Sequence, residues 1–381
     1  MKVSVLRYQH STKLFLITIL GLVSLLLSNC ENTSNRKEKV DLKERIKTDT
    51  STILYAQNFE IIHYDNYKII SVKTENEKWS YCLYTDVKPL VKSANLSFIK
   101  LPITKTIALS STHLGMLEKL NLTDKLVGIS DDKYLCSDKI KAKQLANVGD
   151  IGIGNFENYL AQSPNLLMHS GFDMNAPVLK QLYQTEIATF ANYDWKETHP
   201  LGRAEWIKVI GALFDREKEA TAYFNQEVLR YESLKDLAKK ALEQPKIIAG
   251  SVWGDFWNAP AGESYMAQLF EDANLDYLYK NQDGVGSLQL QFEALIADQG
   301  DVPHWINAPG STIKEIEDNN AKYTHFEAFK KRNMYSYSAN QNCFWEQSAV
   351  SPHKILADFI TLFHPELVDD KTLYFYQKIE D

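Results

Sequence analysis

The stretch "RAEWIKVIGALFDREKEATAYFNQEVLRYESLKDLAKKAL" (residues 203–242) carries one sustained helical pattern in the middle of the chain. Trp206, Val209, Ile210, Leu213 and Phe214 hold one face, and Tyr223, Phe224, Leu234 and Leu237 continue a buried stripe. Pro200 ahead and Pro245 behind bracket it. At 1.5 Å per residue a continuous helix of that length spans about 60 Å, enough to cross a two-lobed protein. The stretch therefore reads as a connector, and the fold depends on what it connects.

On both sides short apolar runs alternate with helical segments. Before it, "TIALS" (106–110) leads into "HLGMLEKLNL" and then "KLVGIS" (125–130). A helix over 155–163 leads into "NLLMH", and one over 178–184 into "EIATFANY". After it come "KIIAGSV" (246–252), a helix over 264–274, a helix over 291–299 before "DVPHWIN", the strand "NMYSYS" (333–338) and the closing helix "SPHKILADFITLFHPEL" (351–367). Pro303 makes its run an edge strand or one that starts late. This βα alternation implies parallel sheets covered by helices. The expected fold is α/β: two lobes with parallel-type sheets, 53–202 and 244–381, joined by one long connecting helix, 203–243, with a ligand cleft between them.

Residues 53–105 read differently. "NFEIIHYDNYKIISVKT" and "KWSYCLYTD" alternate apolar and polar residues, with a turn at Asp65-Asn66, so an antiparallel β appendage covering one edge of the first lobe is expected. Upstream, Lys2, Arg7 and Lys13 precede the apolar run Leu14–Leu27, which is too short for a comfortable bilayer span. The run ends in "LLSNC", which resembles a bacterial lipoprotein signal covering 1–30, with Cys30 as the lipidated residue and Asn29 where that family usually has Gly or Ala. Residues 31–52 then form a flexible tether, placing the folded body outside the cytoplasm on a lipid anchor. Cys82, Cys136 and Cys343 have no metal-ligand spacing; one disulfide is permitted, but buried free thiols are the expectation.

The chain has 381 residues, 44% of them hydrophobic, enough to fill real cores. A formal charge of −7 and a pI near 5.8 argue against a nucleic-acid partner. No G-x-S-x-G elbow, P-loop or G-x-G-x-x-G is present, and "GDIGIGN" lacks the dinucleotide spacing, so neither an enzyme nor a resident cofactor is expected.

Two phrases echo each other: "NFENYLAQSPNLLMH" (155–169) and "QFEALIADQGDVPHW" (291–305) each place a glutamate beside a phenylalanine at a helix start. Together with "IALSSTHLGMLEKLNLTDKLVGISD", "GNFENYLAQSPNLLM", "GRAEWIKVIGALFDREKEA" and "SPHKILADFITLFHPEL", their order over about residues 105–375 resembles the substrate-binding proteins of ABC importers for iron–siderophore complexes, haem and cobalamin. The β segment at 53–105 departs from the minimal family pattern. The resemblance implies two lobes on a single long helix, no catalysis, a metal-chelate or corrinoid ligand, and permease and ATPase subunits as partners. It also implies that Glu157 and Glu293 meet arginines on the two membrane subunits.

In parallel sheets ligands bind beyond the carboxyl ends of the strands. The loops expected there are aromatic: Tyr134, Phe172, Tyr193, Trp195, Trp253, Phe256, Trp257, Phe344 and Trp345, with four of the seven tryptophans. Of these, Tyr134, Phe172, Trp195, Trp253, Trp257 and Trp345 are the candidate ligand contacts, suited to a bulky, rigid, partly apolar ligand. Lys133, Lys196 and Arg203 form no arginine cluster, which disfavours a strongly anionic chelate. His113, His169 and His199 define the rival reading, a zinc or manganese importer component, although no tight ligand spacing accompanies them and no metal site is assigned.

Overall fold

The computed structural model describes residues 47–381 apart from 94, 134, 339 and 340. The expected signal segment, Cys30 and the expected tether up to residue 46 lie outside the described residues, as does Tyr134. Among the described residues no helix is long and apolar enough to cross a membrane.

The appendage is a five-stranded sheet. β1 (Lys47–Thr50), β2 (Phe59–Tyr64), β3 (Tyr67–Lys73) and β4 (Lys78–Tyr84) pair antiparallel, with Asp65-Asn66 as the two-residue turn, whereas β5 (Leu96–Lys100) pairs parallel to β4. The sheet is thus not wholly antiparallel, because the segment 85–95 carries the chain back before β5 begins. The sheet reaches the first lobe as expected: Tyr81 packs on Phe190 at 4.6 Å, and its hydroxyl accepts the Ala191 N–H. β1 pairs with β2, so the stretch 47–50 belongs to this sheet rather than to a tether.

The first lobe is a parallel sheet in the order β10-β9-β6-β7-β8. Its strands are β6 (Thr106–Ala108), β7 (Leu126–Ile129), β8 (Ala146–Asn147), β9 (Leu166–His169) and β10 (Ala188–Ala191). Helix α1 (Ser111–Lys119), capped by the Ser110 hydroxyl, follows β6, and α2 (Phe156–Ala161), capped by Asn155, precedes β9.

The connector is helical but not continuous. It comprises α3 (Pro200–Glu205), α4 (Ile207–Leu213) and α5 (Glu217–Ala238). Asp215 has a φ of 54°, and the Arg216 N–H closes onto the Gly211 carbonyl, a left-handed helix ending that here uses aspartate instead of glycine. Glu217 and Glu219 then favour a new helix start through the dipole. Lys68 on β3 bonds to both Asp215 and Glu217, so the appendage braces the break. The apolar stripe continues across the break, which is why periodicity concealed it. The longest piece, α5, spans about 33 Å.

α3 and α4 are buried along their whole length against the first lobe and the appendage. α5 turns onto the second lobe, where Tyr231 donates to Asp272, His353 bonds to Glu227, and Tyr223 meets Ser351. The second lobe has a sheet in the order β14-β11-β16-β17-β18. β11 (Lys246–Ala249), β14 (Asp276–Tyr277), β16 (His304–Ile306) and β17 (Met334–Ser336) run parallel, with β18 (Gln377–Lys378) antiparallel at the edge. β16 starts immediately after Pro303. β12 (Ser251–Trp253), β13 (Phe256–Pro260) and β15 (Ser287–Leu290) form a separate antiparallel sheet. Gly250 bends the chain from β11 into β12 at a φ of 110°, and a side chain there would strike the Asn258 carbonyl. Helices α6 (Tyr265–Asp272), α7 (Phe292–Gln299), α8 (Gln341–Gln347) and α9 (His353–Phe363) are among those that cover the lobe. One apolar core runs from the appendage through α3–α5 into α6 and α9, and a second, aromatic core fills the far side of the second lobe.

Cys136 and Cys343 are not free thiols. They form a disulfide between the lobes, with Cα atoms 4.8 Å apart across 207 residues of sequence, while Cys82 is buried in the appendage. Nothing local in the sequence pairs them.

The junction of appendage and connector depends on Glu205. Its carboxylate, fully buried, accepts the backbone N–H groups of Leu54, Tyr55 and Ala56 at 2.8–3.1 Å and pairs with Lys208 at 2.6 Å. Lys208 also donates to the Thr52 carbonyl. Replacing Glu205 by Gln leaves a buried ammonium without its counter-charge and should cost about 3 kcal/mol of stability, read as a lower urea midpoint; a loss under about 1 kcal/mol would show that this clamp is incidental.

Candidate functional site

The strand order puts the carboxyl ends of β9, β10, β11 and β17 beside the loops that carry the candidate aromatics. After β9 and β10, Phe172 and Trp195 stack at 4.5 Å with their planes 27° apart. Phe172 is 72% exposed, and Trp195 is anchored by its indole N–H to the Ser170 carbonyl. Lys196 sits 5.2 Å from the Trp195 ring centre. The pair is an apolar stack, its Trp195 half-buried and its Phe172 exposed. Tyr193, beneath it, is buried and stacks on Trp79 of β4.

In the second lobe Trp253, at the tip of the β12–β13 hairpin, is 81% exposed, and Trp345 on α8 is 37% exposed. Phe344 faces inward and stacks on Tyr337 at 3.9 Å, which fixes the rotation of α8 and turns Trp345 outward. Trp257 is not a surface contact. It is fully buried, its indole N–H bonds to the Ala249 carbonyl, and it packs on Phe292 and Trp305 at 5.7 and 5.5 Å. Alternation along β13 explains this: Trp257 and Ala259 point into the core, whereas Phe256 and Asn258 are partly accessible.

Between the lobes lies a polar cluster of which sequence reading singled out only Arg203. Arg203 on α3 is buried; its guanidinium donates to Asp194 at 3.1 Å and lies 4.2 Å from the centre of the Tyr265 ring at the start of α6. Thr112 also bonds to Asp194. Burial raises the Asp194 carboxyl although Arg203 pulls it down, and Tyr265 and Asp194 hold the guanidinium up against its own burial. Arg203 is therefore committed to joining the lobes and is not an open charge for ligand.

The three histidines do not converge. His199 caps α3 by accepting the Leu201 N–H and packs on Tyr55 at 5.0 Å. His113 and His169 are neighbours, both fully buried, and neither ring nitrogen of His113 has a partner among the described residues. Among the described residues no group of three or more His, Cys, Asp or Glu side chains is placed to hold a metal ion. A cavity of about 300 Å³ lies elsewhere, under the appendage, lined by Thr52, Leu54, Ile61, Lys208, Glu217 and Asn225.

Glu157 and Glu293 are both exposed in the first turns of α2 and α7, but they are not equivalent. Glu293 pairs with Lys322 at 2.6 Å, a hydrogen bond that holds its carboxyl below the usual value. No salt bridge engages Glu157 among the described residues.

Burial holds His113 at a pKa of about 3 and His169 at about 4, the latter lowered further by its neighbour. An unfolded imidazole titrates near about 6.5, so the unfolded chain takes up these protons first. Stability from the neutral rings is full above that pH and is lost as pH falls toward about 4. Asp358, raised by burial to about 6, acts in the opposite sense, its contribution growing as pH falls through that value. Replacing His113 by Leu removes an unpaired buried polar group, so thermal stability at pH 7 should be kept or raised. Its melting temperature should also fall less than that of the parent between pH 6.5 and 4; an equal fall in both would refute the assignment.

Comparisons with known proteins agree with this architecture. The profile of the periplasmic binding protein family matches residues 107–340. An uncharacterized lipoprotein of Methanocaldococcus jannaschii is 25% identical, covering 96% of each chain. Among solved structures, CeuE of Helicobacter pylori, as a Ni-His complex, superposes with a TM-score of 0.57 at 16% identity over 78% of this chain and 89% of its own. The periplasmic haem-binding protein HutB of Vibrio cholerae superposes with a TM-score of 0.54 at 14% identity over 67% and 98%. At such identities these structures speak for the fold alone. The family match spans more than half of the chain and agrees with two parallel-sheet lobes flanking a helical connector: the chain belongs to the periplasmic binding protein family.

Proposed function

We propose that this protein is the extracytoplasmic, lipid-anchored binding component of an ABC importer, capturing an iron complex (siderophore or haem) or cobalamin and delivering it to the permease. The observation that carries the ligand class is the Phe172–Trp195 stack beyond the ends of β9 and β10, with Phe172 exposed and Trp195 half-buried. A flat, partly apolar chelate or macrocycle gains by stacking there, and Trp253 and Trp345 offer further aromatic surface on the second lobe. A bare zinc or manganese ion needs converging ligands, and the His113–His169 pair lacks a third among the described residues. Binding without catalysis is in keeping with a family of solute-binding proteins.

Titration of tryptophan fluorescence with cyanocobalamin, haemin and ferric siderophores should give saturable quenching at micromolar concentrations or below for at least one of them. Trp195→Ala should weaken that ligand about tenfold or more, the ~1.4 kcal/mol expected of an aromatic contact. Binding of free zinc with no response to any chelate or macrocycle would replace this reading with the metal-ion one.

For docking, two carboxylates on separate lobes suit charge-assisted pairing with permease arginines. Lys322 must be displaced before Glu293 can pair elsewhere, whereas Glu157 needs no such exchange. Glu157→Arg should therefore lower transporter-stimulated ATP hydrolysis more than Glu293→Arg, with ligand affinity unchanged in both. Weakened ligand binding with ATP hydrolysis retained would mean that these carboxylates serve the cleft instead.

A further inference from the structure

The connector does not supply the stiffness that a single helix would. It is broken at Asp215, so its own length does not hold the lobes in line, and Lys68 at the break and Arg203 between the lobes take over part of that task. A further link exists. Cys136, in the loop after β7, is bonded to Cys343 on α8 of the other lobe. Beside it the buried Glu346 carboxylate accepts the N–H groups of Cys136 at 3.0 Å and Ser137 at 2.9 Å. The Ser137 hydroxyl in turn donates to Glu118 on α1. α1 lies directly on α8: a side chain at Gly115 would run into the Glu346 carbonyl oxygen.

With Lys68 bracing the break and Arg203 already joining the lobes through Asp194 and Tyr265, this tie narrows further the relative rotations left to them. The tie also falls on α8, the helix that presents Trp345, and two residues after Tyr134. We propose that the Cys136–Cys343 disulfide and Glu346 are positioning residues that hold the two lobes at a set separation and thereby limit the size of ligand the cleft admits. The consequence for ligand size rests on the cleft being the binding site; the restraint on the lobes does not.

The test uses the folded chain with its cysteines oxidised, compared with Cys136→Ser/Cys343→Ser, with Glu346→Gln, and with the parent reduced by dithiothreitol. Non-reducing peptide mapping should find the 136–343 cross-link in the parent. Hydrogen exchange in α1, in residues 131–137 and in α8 should accelerate at least tenfold in the double variant and less in Glu346→Gln, with α5 and the sheets unchanged. The ratio of dissociation constants between cyanocobalamin and a smaller ferric hydroxamate should narrow at least threefold. Absence of the cross-link, or exchange unaltered by its removal, overturns the proposal. If the double variant does not fold, the reduced parent and Glu346→Gln carry the same comparison. Failure of every probe to bind the parent, with the exchange result intact, counts against the ligand reading and supports the restraint alone.

Discussion

The arrangement of this protein depends on buried carboxylates that accept backbone N–H groups from distant parts of the chain. Glu205 is the first of them. A charge with no access to water is tolerated only when donors and a counter-charge surround it, and Glu205 finds three amides from 54–56 together with Lys208. Glu197, just ahead of α3, takes the amides of Gln57 and Asn58 and the indole N–H of Trp206. These two side chains bind an otherwise irregular segment to the connector, and through it the five-stranded appendage to both α3 and α4. Asp358 does the same at the other end of the chain, accepting the amides of residues 374–376.

Buried carboxylates also tie the lobes to each other and the second lobe to α5. Glu346 holds the loop at 136–137, Glu227 holds the start of α9, and Asp272 gathers Tyr231, Lys235 and Gln268. Such contacts are directional. An apolar interface alone lets helices slide, whereas an acceptor bonded to two or three N–H groups sets register. The connector, broken at Asp215, is held by these fixed points and by Lys68 rather than by its own length.

This division of labour leaves the ligand side comparatively open. Tyr193 and Trp79 support the aromatic plate of the first lobe from below, and Phe344 fixes α8 so that Trp345 faces out. The buried polar groups nearby are spent on joining elements: Arg203 on Asp194 and Tyr265, His199 on the start of α3. The aromatic surface that remains, Phe172, Trp253 and Trp345, stands among exposed carboxylates such as Asp173 and Asp255.

Local periodicity was enough to read most elements from the amino-acid sequence. The strands at 106, 126, 166, 246 and 334, the Asp65-Asn66 turn, the late start after Pro303 and the helix-start glutamates all follow from spacing within a few residues. The aromatic bias of the loops was equally legible, as a collective property. Tertiary structure alone decided the rest. Asp215 ends a helix through a left-handed backbone and a lysine 147 residues away, while the apolar stripe runs on without a mark. Trp257 sits in the core because of strand parity in a hairpin whose bend at Gly250 no period reveals. Cys136 and Cys343 meet across 207 residues because α1 packs on α8. In each case the deciding partner is distant along the chain, and sequence spacing carries no information about which distant groups the packed core brings together.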